Sequence, residues 1–347
     1  MNDNQNIKIL VTGAGGFIGS HLVSFLKEKG YWVRGVDIKY PEFTQTDADE
    51  FKLLDLRRWE NCLWATHDID EVYALAADMG GMGFISGNHA QILHNNTLIN
   101  IHTLEASRQN GIKRYLYTSS ACVYPDYLQE KVDVVPLKEE DAYPAQPQDA
   151  YGWEKLITER LNKHYYEDYG FETRVVRFHN IFGAEGTWEG GREKAPAALC
   201  RKIALAKITG NPEIEIWGDG EQTRSFCYID DCLNGLYRLM RSDYHEPLNL
   251  GQDRMVSINQ LADIIANIAK IKIEKKHIPG PQGVRGRNSD NSKLRQVLGW
   301  NPEISLEEGL AKTYTWIEYQ VVNKLNAGDG KTTEDLSHSK VLFKNNI

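Results

Sequence analysis

The chain reads as an α/β protein built on a doubly wound parallel sheet, with a smaller, interleaved α/β unit attached. Three observations predict this. From Ile7 to Phe178, short segments rich in apolar residues alternate with longer helical ones, the pattern of a parallel sheet covered by helices on both faces. Between the first such strand and the first helix stands the glycine-rich junction Gly13-Ala14-Gly15-Gly16-Phe17-Ile18-Gly19. After Asn180 the rhythm changes to glycine-rich loops and isolated strands.

Taken in order, Ile7 to Thr12 is a mostly apolar run suited to a buried strand, and Ser20 to Lys29 is an amphipathic helix. The glycines between them permit a tight turn and let a pyrophosphate approach the backbone at the helix N-terminus. A glycine loop alone is a weak signal. Here a second strand follows, Trp32 to Val36, and ends in Asp37, 18 positions beyond Gly19. That is close to the ~20 expected for a carboxylate on an adenosine ribose 2′-hydroxyl. A negative side chain there repels a 2′-phosphate, so NAD is expected over NADP. Gly13, Gly16, Phe17, Ile18, Gly19 and Asp37 are the first cofactor candidates.

Phe51 to Leu54 is a short strand ending at Asp55, a candidate acceptor for the adenine amino group or, more plainly, a helix N-cap. Glu71 to Ala76 is the fourth strand, which places Leu75 and Ala76 at the cofactor. The glycines of Asp78 to Gly83 suit a loop passing close to a ligand. Asn88 to Gln109 is a long helix. Tyr115 to Thr118 is the fifth strand and opens into Ser119-Ser120-Ala121-Cys122-Val123-Tyr124-Pro125. Sites of open α/β sheets lie beyond the carboxyl ends of the strands, so this loop faces the reacting end of the cofactor. A loop with Pro136, Pro144 and Pro147 precedes the helix of Tyr151, and Arg174 to Phe178 is the sixth strand.

Tyr151 and Lys155 are four apart and share one helix face. An ammonium held beside a phenol favours the phenolate, lowering the pKa from its reference near ~10. Such a phenolate can take a proton from an alcohol as hydride leaves. Tyr-x-x-x-Lys is common by chance, and the plain alternative is a core tyrosine with a rim lysine.

Beyond Asn180, Gly183 to Lys194 is glycine-rich, Ala195 to Lys207 is helical, and Glu213 to Trp217 is a strand outside the parallel series. Helix Asp230 to Arg241 and strand Leu248 to Leu250 return to the main sheet. Ser257 is the N-cap of a helix to Ala269. His277 to Asp290 is a loop with Arg285 and Arg287, and helices start at Ser292 and Ser305. The expected division is 1–180 with about 226–256 for the dinucleotide and about 181–225 with 257–325 for substrate. Residues 326–347 read as a mobile tail.

Composition is that of an ordinary globular chain, 41% hydrophobic and 25% charged, and a net charge of −8 argues against nucleic-acid or anionic-membrane partners. The polar start Met1 to Asn6 has no signal-peptide character. Five cysteines lack a C-x-x-C pair, which argues against a disulfide framework or zinc site and for the cytoplasm. His21, His89, His94 and His179 lack metal-ligand spacing, so no metal is expected.

G-A-G-G-F-I-G, S-S-A-C-V-Y-P and Y-x-x-x-K resemble the extended short-chain dehydrogenase/reductases, the NAD-dependent nucleotide-sugar epimerase family with a Rossmann-type sheet. Longer strings, among them D-M-G-G-M-G-F-I, R-F-H-N-I-F-G, G-G-R-E-K-A-P-A-A, W-G-D-G-E-Q-T-R-S-F and G-V-R-G-R-N-S-D-N, are similar to its members that invert two sugar carbons. The resemblance spans about residues 9 to 316. It implies GDP-mannose as substrate, epimerised at C3 and C5 toward GDP-L-galactose or GDP-L-gulose, and a homodimer packed through the long helices. By resemblance, Tyr151 is the base for the C4 hydroxyl, Lys155 its support and a ribose ligand, and Ser120 a partner of the C4 oxygen. Cys122 and Lys194 exchange the C3 and C5 protons; their reference values of ~8.5 and ~10.4 lie above neutrality. Further implied substrate contacts are Gly80, Ala121, Asn180, Glu193, Ala195, Lys202, Gln222, Thr223, Arg224, Arg285 and Arg287, with forked guanidiniums suited to a diphosphate. A 4-epimerase or 4,6-dehydratase of the same fold would share Tyr151 and Lys155 but not need Cys122 or the G-G-R-E-K-A-P string. A non-catalytic NAD-binding regulator would need none of them.

Overall fold

Both faces of the first strand, β1 (Lys8–Thr12), are apolar, and helices cover each of them. Ile9 and Val11 pack toward one core with Leu22 and Leu26, while Leu10 packs toward the other with Cys62, Ala65 and Leu104. The computed structural model describes residues 6–328. From β1 the chain passes into α1 (Phe17–Glu28), β2 (Trp32–Asp37), β3 (Glu50–Leu53), α2 (Trp59–Thr66) and β4 (Glu71–Ala74). A short α3 (Met82–Ile85) and the long α4 (His89–Gln109) lead to β5 (Arg114–Ser120), α5 (Ala150–Tyr169) and β6 (Thr173–Phe178). The first helix starts three residues before the expected Ser20, inside the glycine motif itself. The α2 turn was not legible as a helix.

The remaining elements are β7 (Ile181–Phe182), α6 (Ala195–Thr209), β8 (Glu213–Trp217), β9 (Thr223–Ser225), β10 (Cys227–Tyr228) and α7 (Ile229–Arg241). They continue as β11 (Pro247–Leu250), β12 (Met255–Ser257), α8 (Ile258–Ala269), β13 (Glu274–Ile278), β14 (Gly286–Arg287), α9 (Ser292–Leu298) and α10 (Leu306–Gly328). Seven parallel strands form the main sheet in the order β11, β6, β5, β4, β1, β2, β3. The expected return of Leu248–Leu250 to this sheet is realised beside β6. Ser257 caps α8 in a reciprocal box with Gln260.

Two expectations need correction. Residues 277 and 278, expected at the start of a loop, end β13, which pairs in parallel with β8. Within that expected loop, β14 joins β9 and β12 in a small mixed sheet. The expected tail begins too early, because α10 runs to Gly328; the rest of that segment lies outside the described residues. Helices α6, α8 and α10 pack together through Leu199, Ile203, Leu261, Ile265, Leu310 and Ile317.

Beneath the strand ends lies a buried ion pair. Arg177 Nε and Nη2 donate to Glu159 Oε1 at 2.9 Å and Oε2 at 2.7 Å, and Ser119 Oγ donates to Oε1 at 2.5 Å. Arg177 Nη1 donates to the Glu139 carbonyl at 2.7 Å and to Tyr124 Oη at 3.2 Å. Removing one charge of such a pair strands the other. Glu159→Gln is therefore expected to cost about 3–5 kcal/mol, read as a lowered denaturant midpoint; an unchanged midpoint would contradict it.

Candidate active site

The carboxyl ends of β1, β4, β5 and β6 open into one cavity of about 1060 Å³. Its near wall is the glycine turn. Gly13 has φ +72°, and a Cβ on Gly19 would stand 2.0 Å from the Gly13 carbonyl oxygen, so both positions require glycine. Gly15 N donates to Asp37 Oδ2 at 2.9 Å, while Oδ1 accepts from Ile38 N at 2.6 Å and Lys39 N at 3.2 Å. Burial pushes the Asp37 carboxyl up, and these three amides oppose it. Leu75 N and Ala76 N both donate to Thr12 Oγ1 at 3.1 Å, which ties the ends of β1 and β4 at the point where the chain changes direction across the sheet. Gly16, Phe17, Ile18, Leu75 and Ala76 line the same wall. A bare-backbone cradle with a fixed carboxylate at its far end fits a dinucleotide.

Asp55 lines this wall too, but its carboxylate is gripped by Arg57, with Nη2 at 2.7 Å and Nε at 2.9 Å. That pair holds the carboxyl below its ordinary value. The pair fixes the direction of the carboxylate at the cavity wall.

Tyr151 and Lys155 project from the first turns of α5, whose N-cap Asp149 accepts from Gly152 N at 2.9 Å. Both are buried. Lys155 Nζ donates to the Thr118 carbonyl at 3.0 Å, lies 3.8 Å from Glu154 Oε1 and sits 5.5 Å from the centre of the Tyr151 ring. The Ser120 hydroxyl hydrogen-bonds the Tyr151 phenol and accepts from Cys122 N at 3.2 Å. The expected lowering of the Tyr151 pKa is corrected for the chain by itself. Burial first, then the neighbouring Cys122 and Glu154, push the phenol well above its usual range, and the Ser120 hydrogen bond is what opposes them. Burial likewise pushes the Lys155 ammonium down against the pull of Glu154 and Glu159.

Three features of this corner were not read from the sequence. A Cβ on Gly152 would stand 2.2 Å from the Cys122 carbonyl oxygen, so glycine at the residue after Tyr151 is what lets α5 meet the Cys122 loop. A glycine inside a helix carries a propensity cost, and that was the available signal. Glu154, behind Lys155, accepts from Asn96 Nδ2 and Asn100 Nδ2, each at 2.9 Å. Gln129 is buried between the Cys122 loop and β14.

The opposite wall carries Lys194, the N-cap residue of α6. Gly190 and Gly191 turn the chain with φ of +88° and +87°, and Glu193 then accepts from Gly191 N at 2.6 Å and Arg201 Nη2 at 3.0 Å. Gly81 N donates to the Arg192 carbonyl at 3.0 Å, and a Cβ on Gly81 would lie 2.6 Å from the Glu193 carbonyl oxygen. The Gly80 loop therefore presses directly against the Lys194 loop. Lys194 is open to the cavity yet surrounded by protein at longer range. That enclosure pushes its ammonium down, and Cys122 is the first group to oppose it. A lowered lysine offers more of its neutral, basic form near neutrality.

The cavity also gathers Gly80, Ser120, Ala121, Cys122, Asn180, Glu193, Ala195, Lys202, Gln222, Arg224 and Arg287. Asn180 holds φ +47° and donates to the Ser225 carbonyl at 2.9 Å. Lys202 Nζ donates to the Glu215 carbonyl at 2.6 Å. Arg224 spends its fork on the carbonyls of Thr223 and Val284, each at 2.7 Å, and burial beside Arg287 pushes its pKa down to about 9. The structure does not gather two of the expected residues. Arg285 pairs with Asp219 at 2.9 and 3.0 Å outside the cavity, and Thr223 turns its hydroxyl to the Val132 carbonyl. Gln222 leaves Oε1 buried with no protein partner.

A glycine cradle for a dinucleotide, joined to a Tyr-x-x-x-Lys pair at the same strand ends, defines an α/β enzyme of nicotinamide chemistry. The chain belongs to the NAD dependent epimerase/dehydratase family, whose model matches residues 9–251. Within it, the chain is 54% identical over 320 residues to a GDP-mannose 3,5-epimerase of Arabidopsis thaliana, covering 92% of this chain and 84% of that one. The fold is similar to that of UDP-glucose 4-epimerase from Thermotoga maritima with UDP-glucose. There the TM-score is 0.80 and identity 27%, over 91% of this chain and 100% of that one. UDP-glucuronic acid 4-epimerase from Bacillus cereus, in complex with UDP-glucuronic acid and NAD, is similar with a TM-score of 0.76 and 26% identity, over 90% and 100%.

Proposed function

We propose that this NAD-dependent nucleotide-sugar epimerase inverts GDP-mannose at C3 and C5, giving GDP-L-galactose, and GDP-L-gulose when C5 alone is inverted. A ring C–H beside a carbinol carbon is too weak an acid for a side chain to remove. Once C4 is a ketone, the hydrogens on C3 and C5 are α to a carbonyl and become removable. NAD, when bound in the glycine cradle, supplies a hydride acceptor for C4 and later returns that hydride. Tyr151 takes the C4 hydroxyl proton, aided by the Ser120 hydrogen bond and by Lys155 behind the ring. Cys122 and Lys194 then exchange protons at the ring carbons: one removes a proton from one face while the other delivers one to the opposite face.

The observation that carries this reading is that Cys122 and Lys194 line one cavity with Tyr151 and lie near enough for the charge of one to bear on the other. A 4-epimerase or 4,6-dehydratase has no use for that pair. Arg224 and Arg287 suit the diphosphate, and the unpartnered Gln222 Oε1 suits a donor on the substrate. The test is incubation of pure protein with GDP-mannose and no added cofactor, with products identified by NMR. GDP-L-galactose is expected, without growth of the NADH absorbance band. A C4 epimer, a 4-keto-6-deoxy sugar, or no turnover at all would each replace the assignment.

Helices α4 and α5 carry exposed Leu93, Ile101, Trp153 and Ile157, the last 58% exposed. These side chains suit burial against a second copy, in a four-helix dimer. Light scattering at micromolar concentration is expected to give twice the 39.5 kDa chain mass; a single chain mass would contradict the dimer. All five cysteines are free, and no described helix is long and apolar enough to cross a membrane. A reducing compartment, the cytoplasm, suits such a chain.

A further inference from the structure

Gln129 lies in the loop after β5 with 1% of its surface exposed, outside every sequence motif considered above. Its amide is fully engaged. Nε2 donates to the Tyr124 and Pro125 carbonyls, each at 3.1 Å, and Oε1 accepts from Arg287 Nε at 2.6 Å. Its own carbonyl accepts from Arg285 N at 2.9 Å and Gly286 N at 3.1 Å. One residue therefore joins the loop that carries Cys122 to the strand that carries Arg287. A Cβ on Gly286 would stand 2.3 Å from the Lys131 carbonyl oxygen, so only glycine lets β14 come this close.

The consequence falls on Cys122. Anchored through Nε, the planar guanidinium of Arg287 presents Nη1 to Cys122 Sγ at 3.3 Å. A fork held at one nitrogen has little freedom left at the others. A nitrogen held against the sulfur fixes in turn where Sγ points.

We infer that Gln129 is a positioning residue for proton exchange, holding Arg287 against Cys122 so that the sulfur is aimed for its task. This rests on the reading of Cys122 as an acid–base group at the sugar ring. A residue that only caps carbonyls would, when changed, weaken the fold and slow every step alike. A residue that positions Arg287 affects the sulfur and leaves C4 chemistry at Tyr151 in place.

The test is Gln129→Met in the full-length holoenzyme, which keeps side-chain length and removes both donor and acceptor. Three rates are read at neutral pH: deuterium uptake at C3 and C5 of GDP-mannose, appearance of bound NADH in a single turnover, and alkylation of Cys122 by iodoacetamide. Uptake and alkylation are expected to fall about tenfold, less than the ~10²-fold that a 1 Å misplacement can cost, with the NADH step within about twofold of wild type. Wild-type uptake and alkylation would overturn the inference, and so would an equal fall in all three rates. If Gln129→Met does not fold, Arg287→Lys is read by alkylation. It keeps the charge but has no Nε for Gln129 to hold, so slower alkylation supports the inference and an unchanged rate overturns it. Cys122→Ala separates the two levels. Wild-type exchange in that variant removes the role of Cys122 itself, whereas lost exchange there with a normal Gln129→Met removes only the role of Gln129.

Discussion

Tyr151→Phe is expected to stop hydrogen exchange at every carbon of the sugar ring, by a factor of about 10²–10⁴. The phenol is the group that hydrogen-bonds Ser120 at the cavity floor, with Lys155 behind its ring. Phenylalanine keeps the ring, its packing and the glycine cradle, so dinucleotide binding survives. What it lacks is an oxygen to take the C4 hydroxyl proton, and without a C4 ketone neither C3–H nor C5–H is acidic. Mass analysis of GDP-mannose after incubation in heavy water reads the outcome directly. Exchange at the wild-type rate would move the base elsewhere in the cavity.

Cys122→Ala and Lys194→Ala are expected to fail differently. Each should still oxidise C4 reversibly, because Tyr151, Ser120 and Lys155 are untouched. Each should lose deuterium uptake at C3 and C5 by about 10²–10⁴, the usual range for one general acid or base. Lys194→Ala should also bind substrate less tightly if its ammonium touches the sugar nucleotide, whereas Cys122→Ala loses only a small side chain from a loop. Alanine at 122 with undiminished uptake would make the cysteine a packing residue. Serine there is a poorer probe, since its hydroxyl can relay protons through water.

The main sheet was legible because short segments rich in apolar residues alternate regularly with helical ones from Ile7 to Phe178. The glycine turn was legible because bare backbone leaves a mark in composition. The partner of β8 was not. Glu213–Trp217 alternates cleanly between exposed and buried residues, but its partner Glu274–Ile278 is largely charged and carries no such alternation. Polar residues buried behind the site, Asn96, Asn100, Glu154 and the Glu159–Arg177 pair, carry no local sign of burial in the sequence. Their partners are 18 to 58 residues away, and only the fold brings them together. Arg285 and Arg287 stand two apart in one loop, and Arg287 with Arg224 was the pair favoured for the diphosphate. Asp219 takes the first out of the cavity, and Gln129 turns the second onto Cys122.

The sign of the Tyr151 shift was misjudged for a related reason. A lysine four residues along a helix favours phenolate in water, but burial disfavours the charged phenol and is the first cause of its raised value. The chain alone therefore holds Tyr151 protonated at rest.

One experiment bears most directly on the claim that C4 is oxidised and restored while C3 and C5 exchange with solvent. Wild-type protein is incubated with GDP-mannose in heavy water, without added cofactor, and the deuterium in the GDP-L-galactose formed is located by proton NMR. Deuterium at C3 and C5, with the original hydrogen retained at C4, is the predicted result. Product formed with protium at C3 and C5, or with deuterium at C4, would contradict the account.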